Sequence, residues 1–220
     1  MGDLMNDRRK MEDLYSKYQG FQAPAVKILL GEGKTDLINR LNARIDGLTV
    51  NLSLETAASV SFTIVNAYDS KKHSFSSGVM DQLALGSIVR VELGYVSCLE
   101  PIFTGFIYAV KAEFSDMATL SVTALDVRRV MEESVRKGVS WKYTTYSEVF
   151  KQVMNPYKKL YSKLTVDSTP DNAVTSFIQN ESDLEFCKRL ATEGNREFFV
   201  FNDNVYFRRK SKRASALTLL

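Results

Sequence analysis

The sequence predicts a mainly β protein, α+β overall, in which an antiparallel β-barrel precedes a small α+β module. About six segments between residues 24 and 126 alternate apolar and polar side chains, with turn residues between them, as half-buried strands do. After Asp126 the apolar spacing becomes that of helices, and a hairpin pattern follows. We therefore expect an N-terminal arm over 1–23, a barrel over 24–126 and an α+β module over 127–209.

The composition is that of a folded protein that needs no covalent staple. The chain has 220 residues, 45% hydrophobic and 25% charged, and can bury a sizeable core. Its formal net charge of +3 is too small to indicate nucleic-acid binding. Cys98 and Cys187 form neither a disulfide framework nor a metal-ligand spacing, which favours a reducing compartment. No signal peptide or membrane-spanning apolar run is present, so no membrane insertion is expected.

The barrel strands are predicted from strict alternation. "AVKILLG" after Pro24 is the first, and the glycine-rich turn "GEGKTD" closes it. The later segments are expected to direct these residues to the core: Leu48, Val50, Leu52 and Leu54; Val60, Phe62 and Ile64; Val89, Val91 and Leu93; Leu120, Val122 and Ala124. "PIFTGFIYAVKAEFS" is long enough to bend, and Gly105 is the predicted bend or bulge. The spacing fits a barrel or a sandwich.

The α+β module is predicted from capping signals. Thr145 with Glu148 and Ser182 with Glu185 form two capping boxes, each followed by an apolar helical stripe. Gly194 is the predicted C′ residue of the second helix. "EFFVFNDNVYFRR" is typical of a hairpin that turns over residues 202–204. The tail over 210–220 contains "SALTLL", which is typical of the start of a further apolar strand.

Catalytic signals are weak. Gly33–Lys34–Thr35 resembles part of a phosphate loop, but Ile28 occupies the position of its first glycine. His73 is the single histidine and lies in a polar loop. The acidic residues that could act in glycoside cleavage are Glu181, Asp183, Glu185 and Glu193. Acids at a helix start also complement the helix dipole, which explains them without a substrate. No catalytic, metal or cofactor site is predicted.

The hairpin carries more aromatic side chains than one packed face needs, and a basic cluster follows it. We interpret the cluster as a solvated linker, with electrostatic docking as the alternative. Its members are Arg208, Arg209, Lys210, Lys212 and Arg213. An unpacked aromatic face is typical of an interface. The candidate interface residues are Phe199, Phe201, Tyr206, Arg208 and Arg209.

Two blocks of sequence resemble a known family. The order "SFTIVNAYD…LALGSIVRVELGY…IFTGFIYAVKAEF…LSVTALDVRRVM" is similar to the phage late control protein D family. These are hub proteins of contractile tails, akin to the N-terminal hub part of VgrG proteins in type VI secretion. A Q-x-E-S-D-x-x-F-x-x-R-L-x-x-E-G pattern recurs in the family's insert. Here it is filled by Gln179, Glu181, Ser182, Asp183, Phe186, Arg189, Leu190, Glu193 and Gly194. The resemblance covers about residues 24–209.

The resemblance implies two tail-tube-like barrels, the second of which would start within residues 210–220, and a structural role. Such hubs assemble as homotrimers whose pseudo-sixfold ring joins the tail tube to the central spike. It implies as partners further copies of the chain, the tail tube protein, the spike protein, and a tape-measure protein or cargo in the lumen. The chain would be made in the bacterial cytoplasm and assembled into a virion tail or tail-like particle. The patterned acids would be helix-cap residues of a scaffold.

Two other classes of function remain open at this stage. A cell-wall hydrolase of a tail would use the carboxylates around Glu181 and Asp183. A monomeric adaptor would capture one partner through the aromatic hairpin. The hub requires neither turnover nor a lasting monomer.

Overall fold

The computed structural model describes residues 11–114, 118–143, 145–171 and 176–209. The predicted start of a second barrel, the basic residues Lys210, Lys212 and Arg213, and the first ten residues of the arm lie outside this part. The fold is mainly β, with one large curled antiparallel sheet that forms a half-barrel and a few helices, as predicted. The chain divides into two compact units: Met1–Gly47 with Phe62–Val122, and Leu48–Ser61 with Thr123–Leu220.

The described residues form fourteen strands and five α-helices. The strands are β1 (Pro24–Leu30), β2 (Thr35–Asp36), β3 (Ile45–Asn51), β4 (Ser59–Ile64), β5 (Tyr68–Asp69), β6 (Ser74–Phe75), β7 (Ile88–Tyr95), β8 (Cys98–Phe114), β9 (Ala118–Leu125), β10 (Val139–Trp141), β11 (Lys163–Val166), β12 (Phe177–Gln179), β13 (Arg196–Phe201) and β14 (Asn204–Arg209). The helices are α1 (Met11–Lys17), α2 (Ser77–Met80), α3 (Val127–Glu133), α4 (Tyr146–Met154) and α5 (Asp183–Glu193). Short 3-10 helices cover Gln19–Phe21 and Asn155–Tyr157.

The large sheet has the strand order β2-β1-β7-β8-β9-β4-β3. Its alternating apolar side chains line one face because successive side chains of a strand point to opposite faces. Most core positions predicted on β4, β7 and β9 are confirmed by their burial: Phe62, Ile64, Val89, Val91, Leu120 and Val122 are at most 2% exposed. Leu93 of β7 is only half-buried, so its prediction as a core residue was wrong. Ile28, Leu30, Phe103 and Ile107 complete this core from β1 and β8.

Two further details of the predicted strands were wrong. Leu52 and Leu54 are 51% and 68% exposed, because β3 ends at Asn51 and the following turn leaves the sheet. The irregularity of β8 is not at Gly105, which pairs regularly with Val89. Val91 pairs with Phe103 and Glu92 with Pro101, so residue 102 is the extra one. Pro101 has no backbone N–H for the ladder, which favours an irregularity beside it.

The turn between β3 and β4 belongs to the second compact unit. A buried ion pair in that unit holds the turn in place. Arg128 Nη2 lies 2.6 Å from Asp126 Oδ2, and both side chains are at most 2% exposed. Arg128 Nη1 also donates to the carbonyls of Ser53 at 2.8 Å and Leu54 at 3.2 Å. Asp126 Oδ2 accepts from the Ala58 N–H at 3.0 Å. The start of α3 therefore fixes residues 53–58, while the domain boundaries expected from the sequence stay a prediction.

The second unit packs helices α4 and α5 on the sheet β11-β14-β13. β13 and β14 form the predicted hairpin, and β11 runs parallel to β14. Phe150 of α4 lies at the centre, with ring centroids 5.2 Å from Phe198 and 4.4 Å from Phe207. Strands β10 and β12 form a separate two-stranded sheet. Helices α4 and α5 therefore cover one face of the three-stranded sheet β11-β14-β13.

We predict that Phe62→Asp abolishes the folded state. It places a charge in the core of the large sheet and removes a buried ring, which costs more than about 4 kcal/mol. Ser61→Asp is the matched control, since Ser61 is the exposed neighbour on the opposite face of β4, and it should change stability by less than about 0.5 kcal/mol. Circular dichroism and thermal melting measure both. An unchanged melting temperature for Phe62→Asp would refute the strand assignment.

Candidate functional site

The patterned segment before α5 builds the start of that helix. Ser182 is the N-cap, and its Oγ accepts from the Glu185 N–H at 3.2 Å. Asp183 and Glu185 lie in the first turn, where negative charge complements the helix dipole. The Glu185 carboxylate also binds Lys188 Nζ at 2.7 Å. The side chain of Ser182 therefore acts as the predicted cap.

Asp183 has a further role that the sequence pattern did not reveal. Its side chain is fully buried. Oδ1 accepts from Arg136 Nε at 2.8 Å and Gln179 Nε2 at 2.7 Å. Oδ2 accepts from Arg136 Nη2 at 3.0 Å and the Tyr157 hydroxyl at 2.6 Å. Four donors thus satisfy one buried carboxylate, which a buried charge requires.

The partners of Asp183 are held in turn. Trp141 Nε1 donates to Gln179 Oε1 at 3.0 Å, which fixes the orientation of the amide. Burial, followed by the hydrogen bond to Asp183, raises the pKa of Tyr157. The hydrogen bond to Asp183 raises the pKa of Arg136. Both groups are protonated donors at physiological pH even at their ordinary pKa values, and the raised pKa values extend that state to higher pH. This hydrogen-bond network therefore holds together the segments that carry its members.

A second ion pair lies on the surface of α5. Arg189 Nε binds Glu181 Oε1 at 2.8 Å, and its Nη2 donates to the Ile178 carbonyl at 2.7 Å. The guanidinium carbon lies 4.9 Å from the ring centroid of Phe186, which is buried. Arg189 Nη1 also lies 3.4 Å from Glu193 Oε1. Arg189 therefore joins β12 to α5.

The acidic residues considered for glycoside cleavage are all engaged. Glu181 and Glu193 pair with Arg189, Glu185 pairs with Lys188, and Asp183 pairs with Arg136. Asp183 is out of reach of any substrate because its side chain is fully buried. The arrangement is suited to holding elements together.

The helix end differs from its prediction. Gly194 is the C-cap residue with φ −79°, and Asn195 takes the left-handed conformation with φ 50°. Gly194 is therefore not the C′ residue. A Cβ at position 194 would lie 2.9 Å from the Leu190 carbonyl oxygen and 3.2 Å from Tyr146 Cβ, so close packing explains the glycine. Leu190 and Cys187 are buried, and burial raises the pKa of the Cys187 thiol.

The outer face of the β13–β14 hairpin presents stacked aromatic rings. Phe199 and Tyr206 are directly paired, with ring centroids 4.8 Å apart and planes 12° apart. The Arg208 guanidinium lies 4.6 Å from the Phe199 centroid, and its Nε binds Glu197 Oε1 at 2.7 Å. We call Glu197, Phe199, Tyr206 and Arg208 the aromatic face.

Of the remaining candidate interface residues, Phe201 lies on the same side of the sheet as Phe199, and Arg209 lies on the opposite side. Phe201 is half-buried at the end of β13, opposite Asn204. Arg209 follows Arg208 along β14, so strand alternation directs it to the opposite side of the sheet. Its N–H donates to Asp167 Oδ2 at 2.9 Å. The structure therefore groups Phe199, Tyr206 and Arg208, and separates Arg209 from them.

The glycine–lysine motif around Lys34 and the single histidine, His73, both lie in turns. Lys34 has φ 50°, and its N–H donates to the Gly31 carbonyl, as in a tight turn. His73 is exposed in the turn between β5 and β6, also with positive φ. Within the described part of the chain, no group of three or more His, Cys, Asp or Glu residues is placed to hold a metal ion. None of the helices described is long and apolar enough to cross a membrane.

Three residues of the buried network were missed from the sequence. Arg136, Trp141 and Tyr157 lie in three separate segments, and only the fold brings them to α5. The single tryptophan and an arginine directly after a helix were the available signals. Neither has a spacing that identifies its partner.

Comparison with solved structures places the fold among tail proteins. A tail protein from Neisseria meningitidis MC58 is similar over 83% of this chain and 50% of its own, with TM-score 0.57 and 15% identity. The 43 kDa tail protein of prophage MuSo2 from Shewanella oneidensis is similar over 86% and 54%, with TM-score 0.63 and 14% identity. A Francisella PdpA–VgrG complex contains a chain that is similar over 90% and 34%, with TM-score 0.58 and 11% identity.

These similarities define a shared fold. The chain spans about half the length of the two tail proteins and a third of the Francisella chain. No protein-family model matches the sequence, and no curated protein matches it. The fold of this chain is thus one that phage tail proteins and VgrG complexes also contain.

We predict that Asp183→Asn destabilises the second unit by about 3 kcal/mol, because it leaves Arg136 without its counter-ion in a largely buried site. Glu185→Gln is the matched control. It removes an acid from the same first helical turn, but from an exposed pair, and should cost less than about 0.5 kcal/mol. Urea unfolding measures both free energies. Equal effects would show that Asp183 acts through the helix dipole alone.

Proposed function

We propose that the chain is a structural baseplate hub protein of a contractile phage tail or phage-tail-like particle. In this role three copies form a pseudo-sixfold ring that joins the tail tube to the central spike. The observation that carries the proposal is the likeness to tail proteins and to a VgrG complex, which extends over 83–90% of this chain.

The sheet offers a means of ring assembly. In the described residues, β2 and β3 are the edge strands of the seven-stranded sheet. An edge strand presents N–H and C=O groups that can pair with a neighbouring chain. Head-to-tail contacts of this kind close into rings when the rotation permits. Leu52 and Leu54, exposed directly beyond β3, would add apolar contact to such a pairing.

The aromatic face is a second proposed contact. Its rings are pre-stacked and half-buried, so little side-chain freedom is lost when a partner covers them. Arg208 is already oriented by Glu197 and by the Phe199 ring. Aromatic and arginine side chains of this kind dominate binding energy at interfaces. We assign this face to a neighbouring subunit of the particle.

The partners follow from this role. They are further copies of the chain, the tail tube protein, the spike protein, and a tape-measure protein or cargo in the lumen. The chain would be made in the bacterial cytoplasm and then incorporated into the virion tail or tail-like particle. The role requires no cofactor and no turnover.

The two alternatives predict different behaviour. A peptidoglycan hydrolase would clear cell-wall suspensions and lose that activity on Glu181→Gln. The ion pairing of Glu181 with Arg189 and the burial of Asp183 argue against it. An adaptor would remain a monomer and capture one partner through the aromatic face.

We predict that the double change Phe199→Ser and Tyr206→Ser weakens assembly with partner subunits by at least about tenfold, since it removes the stacked rings. The monomer should lose only about 1–2 kcal/mol of stability. Ile178→Ser is the control, because Ile178 is 59% exposed elsewhere in the same unit. Sedimentation velocity measures assembly. Equal assembly of both variants would remove the aromatic face from the proposal.

We expect an epitope-tagged chain to label particles at one end of the tail, beside the spike. Purified particles and gold-labelled antibody, viewed by negative-stain electron microscopy, test this localisation. An untagged particle preparation is the control. Label along the sheath, or particles that lack the chain, would contradict the hub function.

A further inference from the structure

The N-terminal arm is docked on the large sheet by a small set of contacts. Lys17 Nζ forms an ion pair with Glu100 of β8. The Tyr18 and Phe21 rings lie 5.9 Å and 5.3 Å from the ring of Tyr95 on β7. The hydrogen bond to Glu100 raises the pKa of Lys17. All of these groups belong to the first compact unit.

Helix α1 contributes to this docking through its last residue, Lys17. It has no buried residue, and Met11 and Tyr15 are 63% and 58% exposed. The arm is therefore held at its C-terminal end, through Lys17, Tyr18 and Phe21. A segment held this weakly can leave and rebind without disturbing the core.

The arm borders a groove at one end of the sheet. The groove has a volume of about 520 Å³, and most of its wall is apolar. Tyr18 forms part of the wall, together with Val26, Leu93, Tyr95 and Glu100. Glu100 supplies a negative charge at this apolar site. A segment that carries an aromatic ring next to a lysine, as residues 17–18 do, complements it in both respects.

The connection between the arm and β1 is strained. Gln19, Phe21 and Ala23 have φ values of 48°, 58° and 49°, and Gly20 has 71°. Left-handed backbone is unfavourable for residues with a Cβ, so three of these four positions oppose the bend. An extended connection would relieve the strain, but it would also carry the arm away from its own groove. Short strained hinges of this kind favour exchange of a segment between copies.

We propose that the arm is exchanged between copies, so that Met11–Phe21 of one chain docks against Tyr95 and Glu100 of its neighbour and forms part of the wall of the neighbour's groove. The inference rests on the proposed self-assembly and names one contact within it. The neighbour's groove offers the same carboxylate for Lys17 and the same ring for Tyr18 and Phe21. Exchange therefore keeps the contacts of Lys17, Tyr18 and Phe21 and releases the strain in residues 19–23. Head-to-tail exchange also generates a ring rather than a symmetric pair.

The test uses the native Lys17–Glu100 pair as its reporter. Unlabelled chains and chains labelled with ¹⁵N are mixed in denaturant, refolded together and treated with a water-soluble carbodiimide. This reagent joins the Lys17 amine to the Glu100 carboxylate as an amide and is itself hydrated to a urea. Mass spectrometry then shows whether the two joined peptides carry the same or different isotopes. Glu100→Gln is the control that removes this cross-link.

We expect mixed-isotope cross-links in the multi-copy fraction, with the number of copies measured in parallel by light scattering. A multi-copy complex with only same-isotope cross-links would overturn the exchange and leave the proposed hub function standing. A monomer with only same-isotope cross-links would overturn the exchange, and a single copy in the presence of the spike protein as well would overturn the proposed ring assembly.

Glycine variants test the role of the hinge. Gln19→Gly with Ala23→Gly relieves the left-handed strain and should lower the mixed-isotope fraction several-fold, because the closed arm becomes favourable. Gln22→Gly is the matched control, since Gln22 has φ −84° and its replacement adds flexibility without relieving strain. Equal mixed-isotope fractions in these variants would contradict hinge strain as the cause of exchange.

Discussion

One buried carboxylate, that of Asp183, ties the second unit together. It accepts hydrogen bonds from Arg136 beyond α3, from Tyr157 in the turn after α4, and from Gln179 at the end of β12. Asp183 itself begins α5, four residues after Gln179, so three stretches of the chain that are distant in sequence share one charge. A charge in this position is stabilising only while every partner remains, because a buried carboxylate that loses a donor pays its desolvation cost. The network therefore couples the segment after α3, the short helix after α4, β12 and the start of α5.

The sequence predicted local structure well and long-range polar structure poorly. Alternation located most core residues of β4, β7 and β9, and the Ser182 cap followed from residue types a few positions apart. The exposure of Leu52 and Leu54 was missed, because the turn that carries them is set by Arg128, more than seventy residues away. Asp183 was assigned to the helix dipole for the same reason. A hydrogen-bond network leaves no periodic pattern, and its members become neighbours only in the fold.

The distribution of polar and apolar groups suits a scaffold that assembles with other subunits. The charged residues of the patterned segment are paired internally, whereas the described residues leave sheet edges, an aromatic face and exposed leucines available for contact. Many modest contacts of this kind, repeated around a ring, would make a particle rigid even if each contact is weak. The exchanged arm would add one more contact between neighbouring copies, because each copy carries both the arm and the groove beside which an arm docks.

The most direct test of the hub account is the absolute mass of the chain by multi-angle light scattering, measured alone and after co-expression with the neighbouring spike gene. The account predicts a complex that contains three copies of the chain and takes up the spike protein. A single copy under both conditions would contradict ring assembly and would favour an adaptor.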